Sequence, residues 1–434
     1  MTTVGLLTDG LSGRHLELDV GRNVAMNLTP YAQFGTLDSL DDDLLRLASY
    51  VFAADLAVKR LEREQHIRSI TLKIPIVNIH AFERVHQLVE QTLTTLSGDN
   101  WSVEFVPISR GSPAPNRPWP KKEQSTLLFS GGLDSFAGAI HLLNTAPTIT
   151  LVSHVTHNWP VATAQSRLAQ AVRDFTRKNV PHLQLRVFGR NQGGLAFPAD
   201  QDREDSQRTR SFLFVALAAV AAHLNGSHRL VVMAENGQFA IHLPLSDARI
   251  SSFSTHTANP KFLAEMQEIL RQLLVCDDLE VVNPFVHWTK GEVVGLLPKG
   301  LHRHIKESSS CWRASRVPSN KTHCGECVPC LCRRIALEIH RLGIPEYQRD
   351  VLREPVGQLD ADDPGKRNLL DLCQFVSLFA GPHRIAADQD LYLRFPELYD
   401  QHLNATEVIA MYRRFATEAL NVFDAYPNVR ALLT

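Results

Sequence analysis

The sequence predicts an α/β protein: a parallel sheet with helices on both faces, preceded by a small α+β segment and followed by a helical region. Three observations carry this. Between residues 125 and 342, short apolar runs at 127–129, 149–153, 183–187, 230–233 and 280–282 alternate with helix-like stretches, the pattern of parallel strands joined by helical crossovers. A glycine-rich turn, Ser130-Gly131-Gly132-Leu133-Asp134-Ser135, joins the first of these strands to the helix-like residues 136–143. Beyond residue 342 the apolar spacing of 369–379 and 408–423 is helical, interrupted at Asp362-Asp363-Pro364-Gly365.

Taken in chain order, 38–65 reads as largely helical, 70–77 alternates as a strand, 79–96 is helix-like and 101–108 is a further strand. These make residues 1–110 an α+β domain of unknown role. Residues 113–120 carry four prolines, which favour extended polyproline geometry, so 111–122 is read as a semi-rigid linker. Residues 123–345 form the sheet domain, and 346–434 the helical C-terminal region. The alanine-rich run 212–224 reads as a helix buried beside the sheet.

Composition narrows the function classes. A chain of 434 residues that is 44% apolar has ample material for two or three cores. A formal net charge of −1 offers no electrostatic footprint for nucleic acid. No run of about 18 apolar residues and no basic-then-apolar leader pattern is visible, so a cytoplasmic enzyme without a membrane segment is expected. With that setting, the seven cysteines are not read as a disulfide framework.

Two constellations carry chemistry. In the first, glycines let the backbone of Ser130–Ser135 turn tightly and approach an anion, and the free N–H groups of the following helix face it. Asp134 is placed to hold a Mg²⁺ ion that bridges phosphates. No lysine ends the loop, so it is not the common nucleotide-hydrolase loop. In the second, Cys311, Cys324, Cys327 and Cys330 supply four thiolates, the number that closes a structural Zn²⁺ site. An iron–sulfur cluster is the less favoured occupant. Cys332 begins the next helix and is read as packing, while His302, His304 and His323 are read as solvated or core residues.

The string Ser130-Gly131-Gly132-Leu133-Asp134-Ser135 resembles the pyrophosphate loop of PP-loop ATP pyrophosphatases, whose adenine nucleotide alpha-hydrolase-like sheet is the fold implied here. With the distal block Ser310-Cys311 and Cys324 through Ala336, the chain resembles QueC, the 7-cyano-7-deazaguanine synthase family. Arg210-Ser211-Phe212-Leu213-Phe214, Asn236 with Ser246-Asp247-Ala248-Arg249, and Asn283-Pro284-Phe285 with Lys290 agree with three further family segments. Ser211, Ser246 and Ala248 depart from the family pattern, and Ser153-His154-Val155-Thr156-His157 lacks its aromatic-Gly-Gln triplet. These departures, with the added length, resemble the QueC-like branch of antiphage operons typified by QatC.

The resemblance implies an ATP-dependent carbon–nitrogen ligase. Ser130, Gly131, Gly132, Leu133, Asp134 and Ser135 would hold ATP. Asp134, Ser135, Lys290 and Arg210 would serve catalysis, and Asn236, Asp247 and Arg249 the deazaguanine pocket. A carboxylate of 7-carboxy-7-deazaguanine would be adenylated and passed to an amine, the N-terminus of a partner protein encoded nearby. Three alternatives stand beside this: synthesis of the free nitrile with ammonia, a non-catalytic nucleotide-binding scaffold of a defence complex, and RNA thiolation. The last wants a basic module, whereas residues 1–122 hold 13 Lys+Arg against 14 Asp+Glu.

Overall fold

The computed structural model describes residues 4–60, 67–109, 122–156, 158–231, 234–245, 258–318, 321–344, 346–382, 384–399 and 402–433. The proline-rich stretch 113–120 and the loop carrying Asp247 and Arg249 lie outside the described residues.

The N-terminal segment runs β1 (Gly5–Asp9), β2 (His15–Leu18), β3 (Val24–Asn27), α1 (Ser39–Ala57), β4 (Ser69–Ile76), α2 (Ile79–Ser97) and β5 (Asn100–Pro107). Asp38 starts α1 in a reciprocal capping box with Asp41. Strands β2-β1-β4-β5 form one sheet, with β4 and β5 parallel across α2. The three short N-terminal strands were not legible in the sequence. One of them, β3, leaves this sheet altogether and pairs antiparallel with the main one.

The main sheet is built from β6 (Lys122–Leu128), α3 (Leu133–Thr145), β7 (Ile149–His154), α4 (Trp159–Thr176), β8 (His182–Gly189), α5 (Arg210–Asn225), β9 (Ser227–Val231), α6 (Gly237–Ala240), α7 (Pro260–Leu274) and β10 (Glu280–Val282). Its order is β10-β9-β6-β7-β8-β3, with all but the β3 edge parallel. The chain winds from β6 out to β8 and then crosses back to β9 on the other side of β6. That reversal opens a crevice beyond the carboxyl ends of β6 and β9, where doubly wound sheets bind ligands.

One face of the sheet is covered by α5, whose Phe212, Leu213 and Leu217 are fully buried. Each such side chain contributes roughly 1.5–3 kcal/mol by burial. Alanines at 216, 218, 219, 221 and 222 keep α5 thin enough to lie between the sheet and α1. Core residues of α1, β4 and α5 belong to one continuous cluster, so the N-terminal segment packs directly on this face. The opposite face carries α3, α4 and α8 (Lys290–Gly295).

After α8, helix α9 (Val328–Ile339) leads into α10 (Pro364–Ala380), α11 (Asp388–Arg394), α12 (Ala405–Phe423) and α13 (Pro427–Arg430). Leu331, Phe375, Val408 and Phe415 share a separate core that joins α9, α10 and α12. Among the described residues no helix is long and apolar enough to cross a membrane.

Candidate active site

The loop after β6 is held open at the crevice by its own short bonds. Gly131 has φ +80, and a Cβ there would lie 2.9 Å from the Gln165 backbone nitrogen, so only glycine suits both the backbone and the space. Gly132 is the N-cap of α3 and no side chain caps that helix. The Gly132 N–H donates to Ser130 Oγ at 3.2 Å, Ser135 Oγ donates to the Gly132 carbonyl at 3.2 Å, and the two hydroxyls lie 3.1 Å apart. The result is an uncapped helix start with the Ser130 hydroxyl at its mouth and the fully buried Ser135 behind it, a concave donor set suited to phosphate.

Asp134, on the first turn of α3, is gripped from the far side of the crevice. Lys290 Nζ donates to both its carboxylate oxygens at 2.9 Å, and Asn236 Nδ2 donates to Oδ2 at 2.8 Å. Lys290 opens α8 after β10, and Asn236 follows β9, so three different strand ends converge. Among the described residues Asn236 Oδ1 is buried without a partner. Asn236 thus reaches the loop aspartate through its amide nitrogen.

A carboxylate that the sequence did not single out joins this cluster. Glu235 lines the same small cleft as Ser130, Asp134, Lys290, Ser309 and Trp312, a space of about 110 Å³. Burial and then the neighbouring Asp134 push its carboxyl up to about 7, against Lys290 and Arg210, which draw it down. Ala234 precedes it with φ +40, an unfavourable conformation for a residue with a Cβ. The Glu235 carbonyl accepts from Asn283 Nδ2 at 2.7 Å, which fastens this bend to the end of β10. Arg210, at the start of α5, sits near Glu235, and its Nε is buried with no hydrogen-bond partner among the described residues. Burial lowers its guanidinium. Its helix start is set by Asp55 of α1, which accepts from the Thr209 N–H and hydroxyl at 2.8 and 2.9 Å.

The sulfur atoms of Cys311, Cys324, Cys327 and Cys330 all lie within 4.8 Å of one another. The pair Cys324–Cys330 is 3.8 Å apart and Cys311–Cys327 is 4.0 Å apart. Tetrahedral zinc with bonds near 2.3 Å needs sulfurs about 3.8 Å apart, so the four thiols fit zinc. The Arg313 and Cys324 N–H groups also point at Cys311 Sγ, at 3.3 and 3.4 Å. Cys332 belongs to the helical core instead, where burial pushes its thiol up to about 12.

This knuckle is wired to the phosphate loop. The Ser309 N–H donates to the Gly131 carbonyl at 2.9 Å. Buried Arg333 holds the same strap, donating to Ser308 Oγ at 2.8 Å and to the Ile305 carbonyl at 2.7 Å. His323 is fully buried, and its Nε2 accepts from the Ser310 N–H at 3.2 Å. Burial, then Arg333, lowers that imidazole to about 2, so it is neutral. His302 faces the Leu297 carbonyl and His304 pairs with Glu307.

The C-terminal region reaches the site through the turn that carries Lys290. Thr289 caps α8 with Glu292 in a reciprocal box, and its hydroxyl donates to Glu418 of α12 at 2.6 Å. Arg414, one turn earlier on α12, bonds Glu292 and the His287 carbonyl, each at 2.7 Å. Burial raises Glu418 to about 7. A second cavity, about 230 Å³, opens at the ends of β7 and β8 beside His154 and Arg186.

Residues 208–341 match the family model described as QueC: Queuosine biosynthesis protein QueC. Over this segment the chain is QueC-like. The match spans Arg210, Glu235, Asn236, Lys290, Arg333 and the four zinc-fitting cysteines, while the Ser130–Ser135 loop precedes it. A QueC-like segment supports an ATP-utilising enzyme of the PP-loop group with deazaguanine-related chemistry. No curated protein matches the chain.

Proposed function

We propose that this protein is an ATP-dependent ligase that adenylates the carboxylate of 7-carboxy-7-deazaguanine and passes the acyl group to the N-terminal amine of a partner protein in an antiphage system. The observation that carries the reading is the convergence of Asp134, Glu235 and Lys290 on the mouth of the Ser130–Ser135 loop, at the switch point of the sheet.

A carboxylate resists attack by an amine because oxide would have to leave. Its oxygen therefore attacks the α-phosphorus of ATP, the α–β bond breaks, and pyrophosphate departs. An amine then attacks the mixed anhydride, with AMP as leaving group and one proton released. The N–H groups of Leu133 to Ser135 and the hydroxyl of Ser130 bind the β and γ phosphates, and the buried Ser135 hydroxyl braces the loop through the Gly132 carbonyl. Lys290 and Arg210 neutralise charge on the departing pyrophosphate, an effect worth several kcal/mol in a preorganised site. Asp134 and Glu235 would hold Mg²⁺, which neutralises phosphate charge when bound. Cys311, Cys324, Cys327 and Cys330 would hold zinc in a structural role, since four thiolates leave no open position, and the ion would help keep the Ser309 strap on the loop. Asn236, with Asp247 and Arg249, recognises the heterocycle.

The QueC match favours one second reading, the free 7-cyano-7-deazaguanine synthase that uses ammonia. Mass spectrometry of candidate partner proteins, after incubation with this protein, ATP and the deazaguanine acid, separates the two. An added deazaguanine acyl mass on a partner N-terminus is expected. An unchanged partner with accumulating nitrile returns the chain to the synthase reading.

A further inference from the structure

Beside the small cleft runs a much larger groove of about 1120 Å³, which shares Ser309 with it. One wall is a face of α4 that presents Trp159, Thr163 and Arg167 at helical spacing, and the other is the turn His302–Ser309. The two spaces therefore meet at the residue whose N–H holds the Gly131 carbonyl. Ammonia calls for no such annex, and the groove's volume exceeds the roughly 300–1,000 Å³ of small-molecule cavities.

The chemistry of the walls selects an occupant. Trp159 is 79% exposed, and Trp312, in the adjoining cleft, is 57% exposed; large exposed indoles are typical anchors of binding interfaces. Of the groove's carboxylates, Glu346 is ion-paired with Lys321 and Glu307 is hydrogen-bonded by His304, each at 2.8 Å. Among the described residues Arg167, Arg303 and Lys306 have no carboxylate partner, so the groove keeps a cationic surplus. Among the described residues Trp159 is the single Trp, Tyr or Phe ring in the groove wall, short of the series of rings on which successive bases stack, which disfavours single-stranded nucleic acid. An acidic polypeptide with a free N-terminus meets both requirements. Its side chains answer the cations, and its α-amine, with an ordinary pKa near 8, is more available as a nucleophile than a lysine amine.

We infer that this groove docks the acidic N-terminal segment of the acceptor polypeptide and feeds its α-amine past Ser309 to the loop. The inference rests on the ligase reading above, and names where its partner binds. Pools of random octapeptides with free amines, one rich in Asp and Glu and one rich in Lys and Arg, are passed over immobilised full-length protein. ATP–pyrophosphate exchange with 7-carboxy-7-deazaguanine is measured on the same samples. At least tenfold greater retention of the acidic pool is expected. The double substitution Arg167→Glu and Lys306→Glu should abolish that preference while leaving the exchange rate unchanged. Failure to retain the acidic pool, equal retention of both pools, retention indifferent to the charge reversal, or preference for an oligouridine probe overturns the docking inference. Absent exchange in the native protein overturns the ligase reading, whatever the peptides do.

Discussion

Replacing Lys290 with methionine removes the cation that lies 2.9 Å from both oxygens of Asp134 and 5.7 Å from the centre of the Phe239 ring. Asp134 is then left with the Asn236 amide and the like-charged Glu235 beside it. Breaking a buried pair by removing one partner costs about 3–5 kcal/mol. The Lys290 side chain is 4% exposed and that of Asp134 14%, so some solvent reaches the remaining charge and about 3 kcal/mol is the fitting value. With an unfolding entropy near 2.1 cal/mol/K per residue, a chain of this length loses roughly 3 °C of melting temperature. Asp134→Asn removes the opposite partner, and in the double variant about 2 kcal/mol should be recovered as coupling. Both single variants should form AMP about 10²–10³-fold more slowly. Calorimetry of the four proteins is the assay. Melting shifts that simply add would refute the pairing of Lys290 with Asp134.

Three further outcomes follow from the geometry. Purified protein should carry one zinc per chain by elemental analysis, and Cys324→Ser should lose it together with AMP formation, because the strap that holds Gly131 loosens; full zinc content in that variant would contradict the assigned ligand set. The carboxyl of Glu235 is raised to about 7 from an ordinary 4.5, so the native protein binds its proton more tightly than the unfolded chain does. Stability is therefore lost as pH rises from about 4.5 to 7, by roughly 3 kcal/mol in all. Glu235→Gln should flatten that part of the stability–pH curve, and an unchanged slope would show the carboxyl is not held in this environment. Thr289→Val removes both the cap on Glu292 and the bond to Glu418; a small displacement of Lys290 should lower kcat about ten- to a hundredfold with zinc content unchanged. Wild-type turnover there would mean that α12 does not position the lysine.

What could be read in the sequence was local. Strand–helix alternation, the glycine turn and the C-x-x-C spacing each depend on residues a few positions apart, and each lies where its local chemistry put it. What escaped reading depends on long-range closure. Strand β3 is four residues long and pairs with β8 some 160 positions away, so no local periodicity announces which sheet it joins. Glu235 carries no motif; it enters the site because a left-handed Ala234 and the Asn283 side chain bend the chain after β9. Ser309 reaches Gly131, and Glu418 reaches Thr289, across more than a hundred residues of intervening fold. Asn236 was expected in the deazaguanine pocket from resemblance alone, and its bond to the loop aspartate was not legible, since amide and carboxylate side chains look like ordinary caps or surface groups until the crevice closes around them.

Phosphorus NMR of ATP turned over with 7-carboxy-7-deazaguanine tests α–β cleavage at the Ser130–Ser135 loop most directly. AMP and pyrophosphate should form in equal amounts, and neither should appear with Asp134→Ala. Formation of ADP and inorganic phosphate, or turnover that survives the Asp134 substitution, would contradict nucleotidyl transfer at this site.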